Sequence, residues 1–534
     1  MLRTPRWARL VVALLVVVLA AAGCSSKQRE REQRSTTLTI AIPDDIQTLD
    51  TCCANFVRAN TALAQLYDSP VIHPKVAAAD GGSMTGDPSK LEGVTFESWS
   101  ASPDGRTYTV KVRKGMKFHD GKEIKAQDLA YMIERQLGTK GGGNWLMTNI
   151  AFLTRKPTVI DDYTLRFTTN APSQLTMQSF YMTSSGAIDP AVVKRHTASG
   201  DPWAEKWMAK NEANGSGPYM LKEWTPDQQV VFQAYPDYWR GKARIDQVVW
   251  KIVPSAAERV NLLKSGTVDM AEGLGTEEFQ ALQGAAGVKI VKAPSLNMVY
   301  VGMNNSIAPF DDEAARQAVS YAVNYDEILR AVYHGDARRA YGPIPSGSQF
   351  SLGDKIGYST DAARARQLLS SSGAAGKKVT LSIDSSRAEH QQIAVRVQAA
   401  LKAIGMDVQI EQLTPAVFAE RKAGKKLQMF VDEMLPWIDD PDYELSLTLQ
   451  CGVFGNYANY CNKQVDQIIK DGWTEQDAAK RKAMFEQAQR TIVDEAPMVF
   501  LAQPDFKLAM RDHVNGYVHY INEIPRYYDM SVSK

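Results

Sequence analysis

Residues 112–135 read VRKGMKFHDGKEIKAQDLAYMIER, and they combine the end of a strand, a turn and the start of a helix. The preceding run, 107–112 (TYTVKV), alternates in polarity as a half-buried strand does. The pair Asp120-Gly121 is typical of a turn. A helix is predicted to begin near Ala126, and its apolar face is formed by Leu129, Met132, Ile133 and Leu137.

Further segments extend this pattern along the chain. They are GSGPY (215–219) with Glu223-Trp224, YWRG (238–241) with Ile245 and Val248, RVNLL (259–263) with SG (265–266) and VD (268–269), YVGMN (300–304), and RQAVSYAVN (316–324). Together with residues 112–135, they resemble the signature segments of the extracytoplasmic solute-binding proteins of family 5, which serve peptide-type ABC importers. The resemblance covers roughly residues 38–528, with the segments in the family's order.

The resemblance implies an α/β fold with two lobes. It is the type II periplasmic-binding-protein fold in its large three-domain form (cluster C), with a hinge and a ligand cleft between the lobes. The first lobe would comprise residues 38–70, 215–293 and 496–534, and an additional domain (71–214) would be inserted into it. The second lobe would be the continuous stretch 294–495.

The residues of the second lobe also predict an α/β architecture by themselves. Apolar periodicity predicts strands at 378–383 and 408–413 on either side of a helix at 388–404, which is a βαβ unit. The other predicted elements are helices at 316–333 and 477–494 and buried strands at 427–431 (LQMFV) and 498–502 (MVFLA). Parallel α/β sheets bind ligands at the carboxyl ends of their strands.

The N-terminus predicts export. Three arginines precede an uncharged apolar run at 10–22, which is shorter than the roughly 20 residues of a membrane span and fits a signal peptide at 1–23. Small residues then precede Cys24, as in a bacterial lipobox, so Cys24 is predicted to be lipidated; an ordinary signal peptide is the alternative. Residues 24–37 are polar and predict a flexible tether.

Residues 434–445, MLPWIDDPDYEL, place Trp437 beside four acidic residues and contain two prolines, so they are predicted to form a loop after a buried strand. By themselves they fit an exposed acidic turn. In peptide-binding members of the family, an acid shortly after a tryptophan in this loop pairs with the ligand's α-ammonium group. The resemblance therefore implies that Trp437 and either Asp439 or Asp440 contact the ligand.

Other candidate ligand-binding residues rest on the resemblance and on side-chain chemistry. Trp145 lies where family members carry an aromatic residue near the ligand, although it could instead pack into the inserted domain. Arg338 and Arg339 could bind a ligand carboxylate through the guanidinium fork, or form an exposed basic turn. Asn304 is the last residue of the segment that resembles the start of the second lobe, and it is the remaining candidate for ligand binding.

Among the five cysteines, Cys451 and Cys461 are plausible disulfide partners in an exported protein, since the loop between them is rich in glycine and asparagine. The adjacent Cys52 and Cys53 could form a vicinal disulfide in the cleft wall, or remain two buried thiols.

No catalytic constellation is visible in the sequence. GAAGKK (373–378) lacks the Walker spacing, no nucleophile-elbow or zinc-protease motif occurs, and His119 has no second ligand at metal spacing. Removal of the signal peptide takes three of 61 basic residues and none of the 60 acidic ones, so the mature chain is almost neutral and nucleic acid is not expected as a partner. Neither a metal nor a cofactor is expected.

The sequence thus predicts a lipid-anchored binding protein on the outer face of the cytoplasmic membrane. It would act as a monomer, capture a small peptide and hand it to the ABC permease subunits. Since a fold does not fix its ligand, an oligosaccharide, a nickel complex or another solute stays open. The alternatives from other classes are an extracellular hydrolase and a signalling or scaffolding lipoprotein.

Overall fold

The structure is a computed structural model, and it describes residues 36–54, 57–78 and 83–533. The predicted signal peptide and the lipidation at Cys24 lie outside the described residues. Thr37 already belongs to the first strand, so the tether predicted to run to this residue is shorter by one residue. In the described part of the chain, no helix is both long enough and apolar enough to cross a membrane.

The elements up to residue 293 are, in chain order, β1 (Thr37–Ile42), α1 (Val57–Leu66), β2 (Val71–Ile72), β3 (Lys75–Ala77), β4 (Met84–Gly86), β5 (Glu92–Gly93), β6 (Phe96–Ala101), β7 (Thr107–Val112), α2 (Ala126–Gly138), α3 (Gly142–Trp145), β8 (Thr158–Asp161), β9 (Thr164–Thr168), α4 (Pro190–Arg195), α5 (Glu205–Met208), β10 (Tyr219–Thr225), β11 (Gln229–Ala234), β12 (Gln247–Ile252), α6 (Ala256–Ser265), β13 (Met270–Ala271), α7 (Thr276–Leu282) and β14 (Val288–Ala293).

The remaining elements are β15 (Met298–Met303), α8 (Glu313–Ala322), α9 (Tyr325–Tyr333), β16 (Ala337–Arg339), α10 (Ala362–Ser371), β17 (Lys378–Asp384), α11 (Ala388–Ile404), β18 (Asp407–Leu413), α12 (Pro415–Ala423), β19 (Met429–Met434), α13 (Pro441–Thr448), α14 (Lys463–Thr474), α15 (Ala478–Glu495), β20 (Met498–Pro504), β21 (Phe506–Arg511), β22 (Val514–Asn515), β23 (Val518–His519) and β24 (Ser531–Val532).

The sheet of the first lobe is assembled from distant parts of the chain. Its strand order is β10-β11-β12-β1-β13-β21-β14, and β1 pairs in parallel with both β12 and β13. Leu38, Ile40 and Ile42 on one face of β1 and Ala41 on the other are fully buried, as expected for a central strand covered on both faces. The inserted domain carries the antiparallel sheet β6-β7-β9-β8. Its helix α2 buries Leu129 and Ile133 in the same core cluster as β1, so the two regions share one hydrophobic core.

The second lobe is built on a sheet with the order β16-β20-β15-β19-β17-β18. The unit β17-α11-β18 is parallel, as predicted, and α11 ends where Gly405 adopts the left-handed conformation with φ of 101°. The predicted boundary at residue 496 is wrong, because β20 pairs with β15 and β16 and therefore extends this lobe to Pro504. The chain crosses between the lobes at residues 294–297 and 504–505, which form the hinge.

Two predictions of local structure are corrected. The single helix predicted at 316–333 is two helices, α8 and α9, because Val323 leaves the helical conformation and the Asn324 side chain accepts a hydrogen bond from the Glu327 backbone. The stretch 434–445 is not a loop throughout. Its second half begins α13, where Pro441 occupies the first helical position, which tolerates proline.

Candidate functional site

A cavity of about 270 Å³, here called the hinge cavity, lies between the two lobes beside the hinge. Its lining comprises Gly273, Leu274, Gly275, Thr276, Phe279, Ser295, Asn297, Val299, Tyr333, Asp336, Arg387, Glu389, His390, Glu433, Pro504, Asp505, Phe506, Lys507 and Glu523. Several of these residues follow the carboxyl ends of β13 and β17, and Glu433 lies near the carboxyl end of β19, at the positions where parallel α/β sheets bind ligands. The Thr276 backbone amide donates to the Glu389 carboxylate at 2.7 Å, which joins the first lobe to the second.

Glu433 lies at the centre of a polar contact in this cavity. Its carboxylate is 2.8 Å from the Arg387 guanidinium and accepts a hydrogen bond from the Asn297 amide at 3.1 Å. Burial favours the neutral acid, but the charges of Arg387 and His390 outweigh burial and hold the pKa of Glu433 at about 2. Glu433 therefore stays ionised, and Arg387 is held in place by it.

Glu523 also lines the hinge cavity but has a different environment. Burial raises the pKa of its carboxyl to about 7, and repulsion from Glu433 adds to this effect, whereas a hydrogen bond from the Ser295 hydroxyl opposes it. No cation forms an ion pair with Glu523 within the described residues. Glu523 is therefore a carboxyl group at the hinge that accepts a hydrogen bond from Ser295 but is not neutralised by a cation within the described residues.

The acidic loop, residues 434–445, divides its four acids into two pairs with different partners. Asp440 caps α13 by accepting from the Asp442 backbone amide, and both carboxylates bind Arg481 of α15. All three side chains are buried, and the Asp440–Arg481 distance is 2.6 Å. Asp440 is thus engaged in a structural ion pair, whereas Asp439 forms no ion pair within the described residues.

Asp439 and Glu444 form the second pair of acids. One carboxylate oxygen of Asp439 and both of Glu444 are buried without a hydrogen-bond partner among the described residues. Burial raises the pKa of Asp439 despite the nearby Ser348 hydroxyl, and it raises the pKa of Glu444 well above its usual range, with repulsion from Asp439 as a further cause. Burial therefore favours the neutral form of both carboxyl groups.

Aromatic side chains join the inserted domain to the second lobe. Trp145 makes edge-on contacts with Tyr443 and Phe454, at centroid distances of 6.2 and 5.6 Å. Trp437 is half-buried and packs against the core of the first lobe, although it belongs to the second. The two predicted tryptophans therefore lie at the interface of the lobes, and the lobes are closed upon each other.

The remaining candidates lie away from this interface or are already occupied. The Asn304 amide is fully buried and donates to the backbone oxygens of Lys425 and Leu427. The Arg339 guanidinium lies 3.6 Å from the centre of the Tyr325 ring, inside the second lobe. Arg338 is exposed and donates to the Ser295 backbone oxygen at 3.0 Å, so it braces the hinge. These contacts do not support ligand roles for Asn304 and Arg339.

Cys451 and Cys461 are joined by a disulfide with their Cα atoms 4.6 Å apart. Cys52 and Cys53 are free thiols with their sulfur atoms 2.6 Å apart, so the alternative of a vicinal bond is not formed. They lie against the turn before Trp145, since a Cβ on Gly141 would come within 2.3 Å of the Cys52 backbone oxygen.

His119 has both ring nitrogens engaged, by the Glu212 carboxylate and by the Gly217 backbone oxygen at 3.0 Å. In the described ranges, the groups of side chains close enough to share a metal are Asp50 with Cys52 and Cys53, and Asp466 with the disulfide pair. Asp50 is bound on both oxygens by the buried Arg135, at 2.7 Å each. This cation beside the thiols opposes metal binding there.

The residues that the sequence reasoning missed are Arg387, Glu433, Glu444 and Glu523. The sequence could have indicated Arg387 and Glu433, because they closely follow the predicted strands at 378–383 and 427–431. Sheets of this kind bind ligands at the carboxyl ends of their strands. Glu444 and Glu523 had no local signal, since their burial depends on packing between distant segments.

The sequence model "Bacterial extracellular solute-binding proteins, family 5 Middle" matches residues 90–456. The chain is 28% identical to the probable D,D-dipeptide-binding periplasmic protein DdpA of Escherichia coli, over 80% of this chain and 82% of that protein. It is 27% identical to heme-binding protein A of Haemophilus influenzae, over 83% of this chain and 84% of that protein.

Among solved structures, the periplasmic binding protein DppA of Helicobacter pylori in complex with the peptide STSA superposes with a TM-score of 0.84 at 24% identity. The match covers 94% of this chain and 100% of that chain. The predicted two-lobed α/β fold is thereby confirmed.

Proposed function

Because this chain belongs to the bacterial extracellular solute-binding proteins of family 5, we propose that it captures a small peptide-like solute between its lobes and delivers it to the permease of an ABC importer. The observation that carries this proposal is the hinge cavity, whose walls come from both lobes and from both hinge segments. A ligand in that place would stabilise the closed arrangement, because it would contact surfaces that separate when the hinge opens.

Within this cleft we assign roles to individual groups. Asp439 would pair with an ammonium group of the solute, and Trp437 and Trp145 would cover it. Arg387, oriented by Glu433, would face the solute's carboxylate or a peptide oxygen. Arg338 would act at the hinge, through its contact with Ser295, rather than on the ligand.

The route to the membrane is also part of this proposal. Export by the signal peptide and lipidation of Cys24 would hold the chain on the outer face of the cytoplasmic membrane, where a permease could receive the solute. The binding proteins among its relatives support a role without catalysis. Because one relative is a heme-binding protein, a non-peptide solute is the second candidate ligand. Among the described residues, no cluster of side chains favours an extracellular hydrolase.

The test is native mass spectrometry of the mature chain for a co-purified solute, followed by a thermal-shift screen of di- to pentapeptides, oligosaccharides and nickel complexes. A true ligand at a hundredfold excess over its Kd should add about 2.7 kcal/mol to the free energy of unfolding. Stabilisation by a sugar or a metal complex and by none of the peptides would overturn the peptide class. Turnover of a bound peptide would overturn the non-enzymatic role.

A further inference from the structure

Two adjacent thiols, Cys52 and Cys53, have no role in the proposed binding of a solute. Their Sγ atoms are 2.6 Å apart, which is only a little longer than the about 2.05 Å of a disulfide bond. Cys52 has 1% of its surface exposed, whereas Cys53 is half-buried. A reagent from solution therefore reaches Cys53 before Cys52.

Asp50 fixes the turn that holds both thiols, residues 50–53, here called the thiol turn. Its carboxylate accepts a hydrogen bond from the Cys52 backbone amide at 3.1 Å, and its backbone oxygen accepts one from the Cys53 amide at 3.2 Å. The carboxylate is itself held by the buried Arg135, through two charge-assisted hydrogen bonds of 2.7 Å. The two sulfur atoms are therefore kept together by a well-anchored turn.

The two thiols differ in how readily they lose a proton. The Cys53 thiol donates to the Glu205 carboxylate at 3.7 Å, so a proton acceptor lies beside it. In contrast, the hydrogen bond with Cys53 and burial both raise the pKa of the Cys52 thiol. Because the thiolate is the nucleophile in thiol–disulfide exchange, Cys53 is the residue suited to attack first, and Cys52 is suited to follow it.

The thiol turn also supports the segment that carries Trp145. A Cβ atom on Gly141 would lie 2.9 Å from the Cys53 sulfur, so the two turns are in close contact. The Trp145 backbone amide donates to the Gly141 oxygen at 3.3 Å, and the Trp145 ring meets the second lobe, as described above. The mobility of the thiol turn is therefore coupled to a contact between the lobes.

We propose that Cys52 and Cys53 form a reversible vicinal disulfide, and that this bond reduces the mobility of the turn that carries Trp145. The structure shows the reduced form. The oxidant is a disulfide, either of a thiol-oxidising enzyme or of a small molecule. The Cys53 sulfur attacks one of its sulfur atoms and releases the other as a thiol. The Cys52 sulfur then attacks Cys53 and releases the second thiol, so two electrons and both thiol protons pass to the oxidant.

Adjacency makes this bond easier to reduce than an ordinary disulfide. Neighbouring Cα atoms are about 3.8 Å apart, whereas those of disulfide partners are usually about 4.4–6.8 Å apart, and bonds outside the usual geometry are more reducible. The Cα atoms of Cys451 and Cys461 lie 4.6 Å apart, within that range. The Cys451–Cys461 bond is therefore an internal reference for the vicinal pair.

The test is a titration of the mature chain in glutathione redox buffers, with mass spectrometry of its alkylated peptides. Oxidation should make the peptide containing Cys52 and Cys53 lighter by two hydrogen atoms and protect both from alkylation. Mild reduction should reverse this change while the Cys451–Cys461 bond stays intact. In Cys52→Ser, Cys53 should keep one glutathione as a mixed disulfide, whereas in Cys53→Ser the buried Cys52 should gain none.

Hydrogen–deuterium exchange of residues 141–146 tests the link to Trp145. These amides should exchange severalfold more slowly in the oxidised protein than in the reduced protein, and Cys53→Ser should show no difference between the two buffers. Equal exchange in both wild-type forms would overturn this link. Cysteines that stay open to alkylation, or that each carry a glutathione, would overturn the vicinal disulfide.

The remaining outcomes concern reversibility and folding. Reduction of the vicinal pair only under conditions that also break the Cys451–Cys461 bond would overturn the reversible role. If Cys52→Ser does not fold, as judged by its thermal unfolding curve, Cys53→Ser at the half-buried position decides the result together with the wild-type peptides. Failure of this inference leaves the proposed function intact, because solute binding is measured separately.

Discussion

Arg481 holds two buried carboxylates, Asp440 and Asp442, and this arrangement predicts a large effect of its removal. In Arg481→Met both acids would remain buried without their cation, so we expect the free energy of unfolding to fall by about 3–5 kcal/mol. Urea denaturation of the mature chain measures this change. Lys482→Met, one position further along α15 and exposed, should change stability by less than about 0.5 kcal/mol. Equal effects of the two variants would contradict the structural ion pair.

Glu523 predicts a pH dependence of stability. Its pKa rises from 4.5 to about 7 on folding, because burial favours the neutral acid, so the native state holds this proton more tightly than the unfolded state. The contribution of this group to the free energy of unfolding should therefore be largest below about pH 4.5 and fall by up to about 3 kcal/mol as the pH rises to 7.

Urea denaturation between pH 4.5 and 7.5, without ligand, checks the contribution of Glu523. Glu523→Gln should flatten the fall in stability, whereas Glu420→Gln, at an exposed site on α12, should not. An unchanged slope in Glu523→Gln would show that the carboxyl does not retain its proton in the native state.

Among the elements, the break between α8 and α9 shows where sequence periodicity is insufficient. Both helices bury apolar residues in one core, including Val319 and Ile328, so a single amphipathic pattern continues through the break. Asn324 could have indicated the break in the sequence, since asparagine favours the N-cap position and its side chain caps α9. Asn324→Ala should lower the free energy of unfolding by about 1 kcal/mol, and Asn324→Asp should retain most of it. Chemical denaturation that finds both variants equal to wild type would refute the cap.

The acidic loop shows which parts of the site could be predicted. Its position came from the resemblance, and Trp437 packs against the core cluster of the first lobe. The ion pair of Asp440 could not be predicted locally, because Arg481 is about forty residues away and reaches the loop only in the folded chain. In contrast, α11 was predicted with correct ends, because its apolar periodicity and Gly405 are local features.

On the scale of the whole molecule, closure of the lobes depends partly on aromatic contacts between them. Trp145 meets Tyr443 and Phe454 across the cleft, and Phe152 meets Trp473 at 4.9 Å. Trp145→Ala should weaken ligand binding roughly threefold to tenfold, since one aromatic contact contributes about 0.5–1.5 kcal/mol.

Isothermal titration, together with small-angle scattering of the liganded protein, measures this effect of Trp145. Trp207→Ala is a suitable control, because its ring stacks on His196 within the inserted domain. Loss of affinity in both variants would indicate general damage rather than impaired closure.

The position of β21 has a consequence for the order of folding. This strand lies between β13 and β14 in the first sheet, yet it is made almost last, whereas the second lobe ends at Pro504, just before it. As the chain emerges N-terminus first, the second lobe can form all its strand pairs while the first sheet still has a gap. The unpaired edges of β13 and β14 are exposed during that interval, so the newly synthesised chain is most prone to aggregation just before β21 appears.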